Sequence, residues 1–297
     1  MSTQSQKIFP FIWFESEAEE AATAYTRAFD DAKISRVSRY GEGGPGPKNS
    51  VMSVDFTLAG QEFGALNGGP YYKLTPAVSF FVSCGTRDEI DRLWKEPGDR
   101  ASILMPLDAY PFSERFGWLQ DRFGVSWQLS LGKRDQKIAP FVMFIGKHHG
   151  KAEEAINFYL SLFRGSRILS MQKYGTGEGE PENSVKHAVF SLAGREFMVS
   201  ENSFDHPFEI TGAISFFVKC DSQREIDTLW NRIGEGGKPQ QCGWIQDRYG
   251  VTWQIVPPIL GEMLRDKDPK KAKNVMQAML KMEKLDINTL QQAYDDA

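Results

Sequence analysis

The chain repeats itself, and the repeat limits its fold more than any other feature. Ile8-Phe9-Pro10-Phe11 returns as Ile138-Ala139-Pro140-Phe141, and Ala18-Glu19-Glu20-Ala21 as Ala152-Glu153-Glu154-Ala155. Asn49-Ser50-Val51 returns as Asn183-Ser184-Val185, Leu58-Ala59-Gly60 as Leu192-Ala193-Gly194, and Ser79-Phe80-Phe81-Val82 as Ser215-Phe216-Phe217-Val218. The longest match sets Gly117 to Val125 (Gly-Trp-Leu-Gln-Asp-Arg-Phe-Gly-Val) against Gly243 to Val251 (Gly-Trp-Ile-Gln-Asp-Arg-Tyr-Gly-Val). So many matches in one order mark two copies of one unit. The copies are expected at 1–132 and 137–258, joined by the short polar run Gly132 to Lys137, with a helical tail over 259–297.

Periodicity gives the plan of one copy. Residues 8–14 are apolar and aromatic, as in a strand. Ala21, Ala22, Tyr25 and Phe29 stand at helical spacing over 18–29, with Ser16 as the expected N-cap. Met52, Val54, Phe56 and Leu58 alternate with polar residues, a strand with one buried face. Gly60-Gln61 turns into a strand over 62–67. Strand 77–84, helix 87–95 and strands near 103–107, 116–120 and 125–131 complete the copy. The motif of strand, helix and three strands thus occurs twice per copy. A doubly wound parallel sheet needs a helix after nearly every strand. The fold class read here is instead α+β, a curved sheet with helices on one face.

Composition excludes several partners. With 297 residues, 41% hydrophobic and 25% charged, each copy can bury a core. A formal charge of −4 gives no basic field for nucleic acid. No window approaches 18 continuous apolar residues, so no membrane span is expected. Met1 to Gln6 lacks the charged-then-apolar plan of a signal peptide. Three cysteines without a C-x-x-C argue against a disulfide framework or thiolate zinc, and a cytoplasmic location is expected.

Ala65-Leu66-Asn67-Gly68-Gly69-Pro70, the strand Ala77 to Cys84 and the block Gly117 to Gln128 resemble the PhnB-like branch of the vicinal oxygen chelate superfamily, which includes glyoxalases and bleomycin-resistance proteins. Cys242 to Gln254 and Met276 to Met282 are similar to the same branch. The resemblance covers nearly the whole chain, once per half, and implies paired βαβββ modules whose sheets wrap into cups. Branch members are usually single copies and often carry the label 3-demethylubiquinone-9 3-methyltransferase. The glycine-rich runs Gly41 to Gly46 and Gly175 to Gly179 precede strands and hold glutamates. They read as mobile rims over the cups, not as the strand-to-helix turn of a typical methyltransferase.

The resemblance also implies where metal users of the superfamily carry ligands. The first-strand position falls at Phe9 or Pro10, and at Ala139 or Pro140. The fifth-strand position falls at Ala77 and Ala213, and the eighth-strand glutamate is Gln128 and Gln254. The fourth-strand position lies between Ala65 and Asn67, or at Ser200 or Glu201. Such a set does not suit a divalent cation. No metal site and no cofactor are expected, with Glu201 as the one remnant carboxylate.

Strand parity places Phe9, Phe11, Trp13, Ser79, Phe81 and Gln128 toward one cup, and Phe141, Met143, Ser215, Phe217 and Gln254 toward the other. Asn67 and Glu201 are further candidate ligand contacts. This lining is the profile of a small-molecule pocket. Whether modules pair within a half or exchange between halves stays open. Opposite parity sends Cys84, Cys220, Trp127 and Trp253 to the helix-covered face. Asp121 and Asp247 read as hairpin-turn residues before a glycine. Arg122 and Arg248 are candidate carboxylate clamps at the cup mouths, and Trp118 and Trp244 either stack on a ligand or close the core. His148 and His149 read as a solvated loop, and His187 as an exposed strand residue. Cys242 is a weak candidate nucleophile. In the tail, Asp268 with Pro269 starts a helix carrying Ala272, Val275, Met276, Met279 and Met282 as a stripe, and Asp286 caps a second. The stripe either docks on its own domain or makes a homodimer contact.

The expected function is cytosolic binding of a small apolar or aromatic molecule without metal, with any reaction left open. A metal-dependent lyase or dioxygenase is the second reading. An interaction protein with vestigial cups is the third.

Overall fold

The computed structural model describes residues 6–41, 44–96 and 100–297. The first module holds β1 (Ile8–Phe14), α1 (Ala18–Ala28), β2 (Lys33–Arg39), β3 (Val51–Leu58) and β4 (Gln61–Asn67). The second holds β5 (Val78–Cys84), α2 (Arg87–Lys95), β6 (Ser102–Tyr110), β7 (Ser113–Gln120) and β8 (Ser126–Leu131). The second copy repeats this as β9 (Ile138–Phe144), α3 (Ala152–Leu162), β10 (Arg167–Lys173), β11 (Val185–Leu192) and β12 (Arg195–Glu201). It ends with β13 (Ile214–Lys219), α4 (Gln223–Gly234), β14 (Lys238–Pro239), β15 (Trp244–Gln246) and β16 (Thr252–Val256). The tail adds α5 (Pro258–Met263), α6 (Pro269–Met279) and α7 (Ile287–Asp295).

Periodicity missed β2 and β10, since these sheet-edge strands are largely exposed and show no clean alternation. It also missed α5. Asp268 and Asp286 cap their helices as expected, accepting from the Lys270 and Thr289 backbone N–H groups. Ser16 does not cap α1. That helix starts after Glu17, and its Ala18 N–H donates to Oδ1 of Asn67, from β4, at 2.8 Å.

The modules exchange between halves. One eight-stranded sheet runs β14-β15-β16-β13-β1-β4-β3-β2, joining the chain's first module to its last. The other runs β10-β11-β12-β9-β5-β8-β7-β6 and joins the two middle modules. Linker length supplies a reason. Residues 132–137 separate β8 from β9 and span roughly 20 Å at full extension, so β9 stays in the sheet of β8 and pairs antiparallel with β5. The chain crosses between sheets after β4 and returns after β12. The two crossings bond to each other, Thr75 Oγ1 to the Glu209 carbonyl and Thr211 Oγ1 to the Lys73 carbonyl.

Within each module the first and last strands pair parallel and the others antiparallel. The helices cover one face of each sheet, and these faces meet. Phe63 of β4 meets Phe80 of β5 edge to face at 5.4 Å, and Phe197 of β12 meets Phe216 of β13 at 5.0 Å. One apolar core fills the space between the sheets and includes Cys84, Cys220, Trp127 and Trp253, as parity required. The opposite faces curve into two cups.

Candidate functional site

Sheet exchange regroups the cup residues. The first cup holds Phe9, Phe11 and Trp13 of β1 with Ser215, Phe217, Trp244 and Gln254 of the second half, not with Ser79, Phe81 and Gln128. Those three join Phe141 and Met143 in the second cup, where Trp118 stands opposite Gln128. The pairing that the sequence left open is exchange between halves, and it redistributes the residues that parity divides between two cups.

The first cup encloses a cleft of about 1950 Å³. Phe9 stacks on Phe217 at 4.7 Å, and Trp244 stands edge-on to Phe11 and Trp13 at 6.2 and 5.6 Å. Two glycines make room for this wall. A Cβ on Gly64 would lie 2.3 Å from the Phe11 ring, and one on Gly68 would lie 2.1 Å from the Trp13 indole. The indole N–H of Trp13 donates to the Gly69 carbonyl at 2.8 Å.

Charged residues also border the cleft, which the aromatic strands gave no sign of. Ladder pairing puts Arg36, Asp55 and Glu62 on the cup side of β2, β3 and β4. Lys219 pairs with Glu62 at 2.6 Å and lies over the Phe9 ring. Burial pushes the Asp55 carboxyl up, while Arg36 and the tail's Arg265 pull it down.

The tail borders this cleft with Leu260, Arg265, Met276 and Met279, and its apolar cluster around Val275, Leu285 and Leu290 includes Phe217 of the cup. Docking on its own chain is therefore one role of the stripe. Cys242 anchors it: its backbone N–H donates to the Met282 carbonyl and that of Gly243 to the Glu283 carbonyl, both at 2.7 Å. Burial raises the Cys242 thiol, and pushes those of Cys84 and Cys220 up to about 12. A raised pKa favours the thiol over the thiolate that acts as a nucleophile.

Gln128 donates to Ser79 and Gln254 to Ser215, both at 2.9 Å, so each glutamine at the ligand-glutamate position is held by its neighbouring serine. Glu201, the remnant carboxylate, caps a helix instead. It accepts from the Ala152 N–H of α3 at 2.8 Å and the Val185 N–H at 2.5 Å. Asn67 does the same for α1, and its amide N–H donates to the Val51 carbonyl. At the strand positions where metal users carry ligands these cups offer carbon, amide and hydroxyl groups. That donor set does not fit a divalent cation. Among the described residues no three His, Cys, Asp or Glu side chains converge.

The arginines of the repeated turns do not reach the cup mouths. Arg122 pairs with Glu20 of α1 at 2.8 Å and covers the Phe123 ring, while Arg248 pairs with Glu235 after α4 at 3.4 Å and covers Phe158. Both lie on the helix side. The aspartates beside them are buried hubs of the turn. Asp121 accepts from the Tyr25 hydroxyl, the Trp127 indole and the Phe123 and Val125 N–H groups, at 2.7–3.0 Å. Asp247 repeats this with Tyr159, Trp253, Tyr249 and Val251. Burial drives the Asp247 carboxyl up to about 6 against the pull of its four donors, and raises Asp121 likewise.

His187 is not exposed. It is half-buried in the second cup, 5.9 Å from the Phe141 ring, and burial lowers its pKa. His148 and His149 are also partly buried, with His148 against Gly250. In the first glycine-rich run Pro45, Gly46 and Pro47 border the first cleft as a rim, while Glu42 and Gly43 lie outside the described residues. Both runs join antiparallel strands, not a strand to a helix.

The chain is similar to several known proteins. A structure from Bacillus cereus titled putative 3-demethylubiquinone-9 3-methyltransferase, PhnB protein, is 47% identical over 43% of this chain and 100% of its own, with a TM-score of 0.41. A protein from Pseudomonas aeruginosa is 23% identical over 44% of this chain and 100% of its own, with a TM-score of 0.38. Glyoxalase I from Zea mays matches at a TM-score of 0.53 over 82% of this chain and 89% of its own, and at 11% identity it speaks for the fold alone. No curated protein matches. The family model described as 3-demethylubiquinone-9 3-methyltransferase matches residues 6–130 and again 136–256. The chain belongs to that PhnB-like family, as a tandem duplicate with the glyoxalase/bleomycin-resistance fold.

Proposed function

We propose that this protein binds a small apolar or aromatic molecule in its first cup, without the metal chemistry of the wider superfamily. The observation that carries the reading is the cleft of about 1950 Å³ with Phe9, Phe11, Trp13, Phe217 and Trp244 along one wall. Apolar and aromatic linings with a few placed polar groups are the usual make-up of small-molecule sites. The donor set argues against Lewis-acid catalysis through the superfamily positions, and the family's methyltransferase name draws no support from the cup. Three free cysteines suit a reducing, cytoplasmic setting. Among the described residues no helix is long and apolar enough to cross a membrane.

Native mass spectrometry of protein purified without chelators tests this directly. The expected result is a co-purified or added small aromatic ligand at one per chain, with no stoichiometric divalent metal. Tight stoichiometric zinc, nickel, iron or manganese would restore the lyase or dioxygenase reading.

A further inference from the structure

We infer that the first cup takes a flat aromatic molecule whose polar head is uncharged and both donates and accepts a hydrogen bond, as a carboxamide does. This rests on the reading of the first cup as a binding site and narrows the class of its ligand.

The argument comes from what the second cup completes and the first leaves undone. In the second cup the Trp118 indole N–H donates to Ser126 Oγ at 2.7 Å, and Gln128 is held by Ser79. In the first cup Thr252 replaces Ser126, and Trp244 turns its ring toward Phe11 and Trp13 instead. Among the described residues the Trp244 N–H then has no acceptor, and Thr252 Oγ1 is buried without a partner. Gln254 gives its amide N–H to Ser215 just as Gln128 does to Ser79, and in neither cup does a donor among the described residues reach the glutamine Oε1. The cups differ here only in the free Trp244 N–H beside it. Gln254 is only 4% exposed.

Trp244 and Gln254 are directly opposed on β15 and β16, which sets their Cβ atoms about 5 Å apart. Both border the cleft. One offers a proton and the other accepts one, a pair that matches a head group with both functions. Neither carries a charge that would compensate a buried ion, and an ion against this aromatic wall would lose hydration without repayment. The charges bordering the cleft answer one another, Lys219 with Glu62, and Arg36 and Arg265 with Asp55 and Glu262. The wall of Phe9, Phe11 and Trp13 fits a planar body better than a branched one.

Three naphthalene probes test the head group: 2-naphthamide, 2-naphthoate and 2-methylnaphthalene. Titrations are followed by calorimetry and by the tryptophan indole N–H resonances. The expected result is that 2-naphthamide shifts the Trp244 resonance, leaves that of Trp118 unmoved, and binds about tenfold tighter than the other two. Gln254→Met should remove that advantage, while Gln128→Met in the second cup should not, and the Trp118 resonance reports that each variant is folded. Equal binding of all three probes at Trp244, or tighter binding of the carboxylate, overturns the head-group inference and leaves the cup as a binding site. No shift of Trp244 with any probe overturns both.

Discussion

The two cups share strand order, pairing and most of their central side chains, yet one row of residues fills them differently. Across the first cup the row reads Asp55, Gly64, Phe11, and across the second it reads Val189, Met198, Phe141. In the second cup Met198 and Val189 are almost fully buried and join Ala139, Phe141 and Phe81 in a small apolar cluster of their own. In the first, Gly64 lets the Phe11 ring occupy the space a side chain would take, and Asp55 brings charge in place of a methyl-bearing wall. Trp13 against Met143 and the tail beside the first cleft widen the contrast. The lesson is that duplication preserved the scaffold twice, while side-chain volume at single register positions sets how far each cup is filled.

The features common to both halves should respond alike, and those that differ should not. The largest effect is expected at the shared hubs. Asp121→Ala and Asp247→Ala each strand a tyrosine hydroxyl, an indole N–H and two backbone N–H groups in the core. Each should cost about 3–5 kcal/mol in urea unfolding. A loss under 1 kcal/mol at either site would show that the hub is not shared in energy as it is in geometry.

The hubs also predict a pH dependence. Asp247 has its carboxyl raised from 3.8 to about 6 in the fold. The native state therefore binds its proton more tightly than the unfolded chain. This contribution is complete below about pH 4 and is lost as pH rises through 6. At about 1.4 kcal/mol per pKa unit it amounts to roughly 3 kcal/mol. Stability measured from pH 4 to 6 should fall more steeply for the natural protein than for Asp247→Asn, and parallel slopes would remove the prediction.

Exchange of the row residues probes the contrast itself. Gly64→Met should destabilise by about 1–3 kcal/mol through overpacking against Phe11, and abolish ligand binding in the first cup. Met198→Gly should cost about 2–5 kcal/mol for the cavity and lost packing, while opening the second cup to the same probes. If the opened second cup gains no binding, volume alone does not separate the two.

The smallest effects have opposite signs. Ser126→Ala takes the acceptor from the Trp118 indole and should cost about 1 kcal/mol. Thr252→Val removes a buried hydroxyl that has no partner and keeps the shape, so it should be neutral or gain up to about 1 kcal/mol. A thermal unfolding series resolves both, and equal losses would equate the two cups at this position.

Much of the fold was legible because burial imposes period on sequence. β1 is a run of apolar and aromatic residues that ends where the pattern ends, and α2 follows its stripe of Ile90 and Leu93. β2 and β10 were not legible, since an edge strand over a cup has little buried face to pattern. Of the site, Phe9, Phe11 and Trp13 could be sorted by parity, but Asp55 and Arg36 could not be recognised as cup residues without the neighbours that bring them round. The signal nearest to hand was the change from Gly64 to Met198 and from Gly68 to Asn202 between copies, since glycine beside an aromatic strand marks close approach.

By itself the sequence determined the duplication, the plan of each module and the face to which each central side chain points, because period-two alternation is a local property of the strand. Only the tertiary structure decided which module closes which cup. That choice depends on a short linker and two crossing connections, and no residue's neighbours in sequence record it. It also decided that Glu201 caps a helix, that Arg122 and Arg248 face the helices, and that the tail borders the first cup. Each of these depends on which distant side chain or backbone group arrives within hydrogen-bonding or packing distance, a relation that strand parity does not carry.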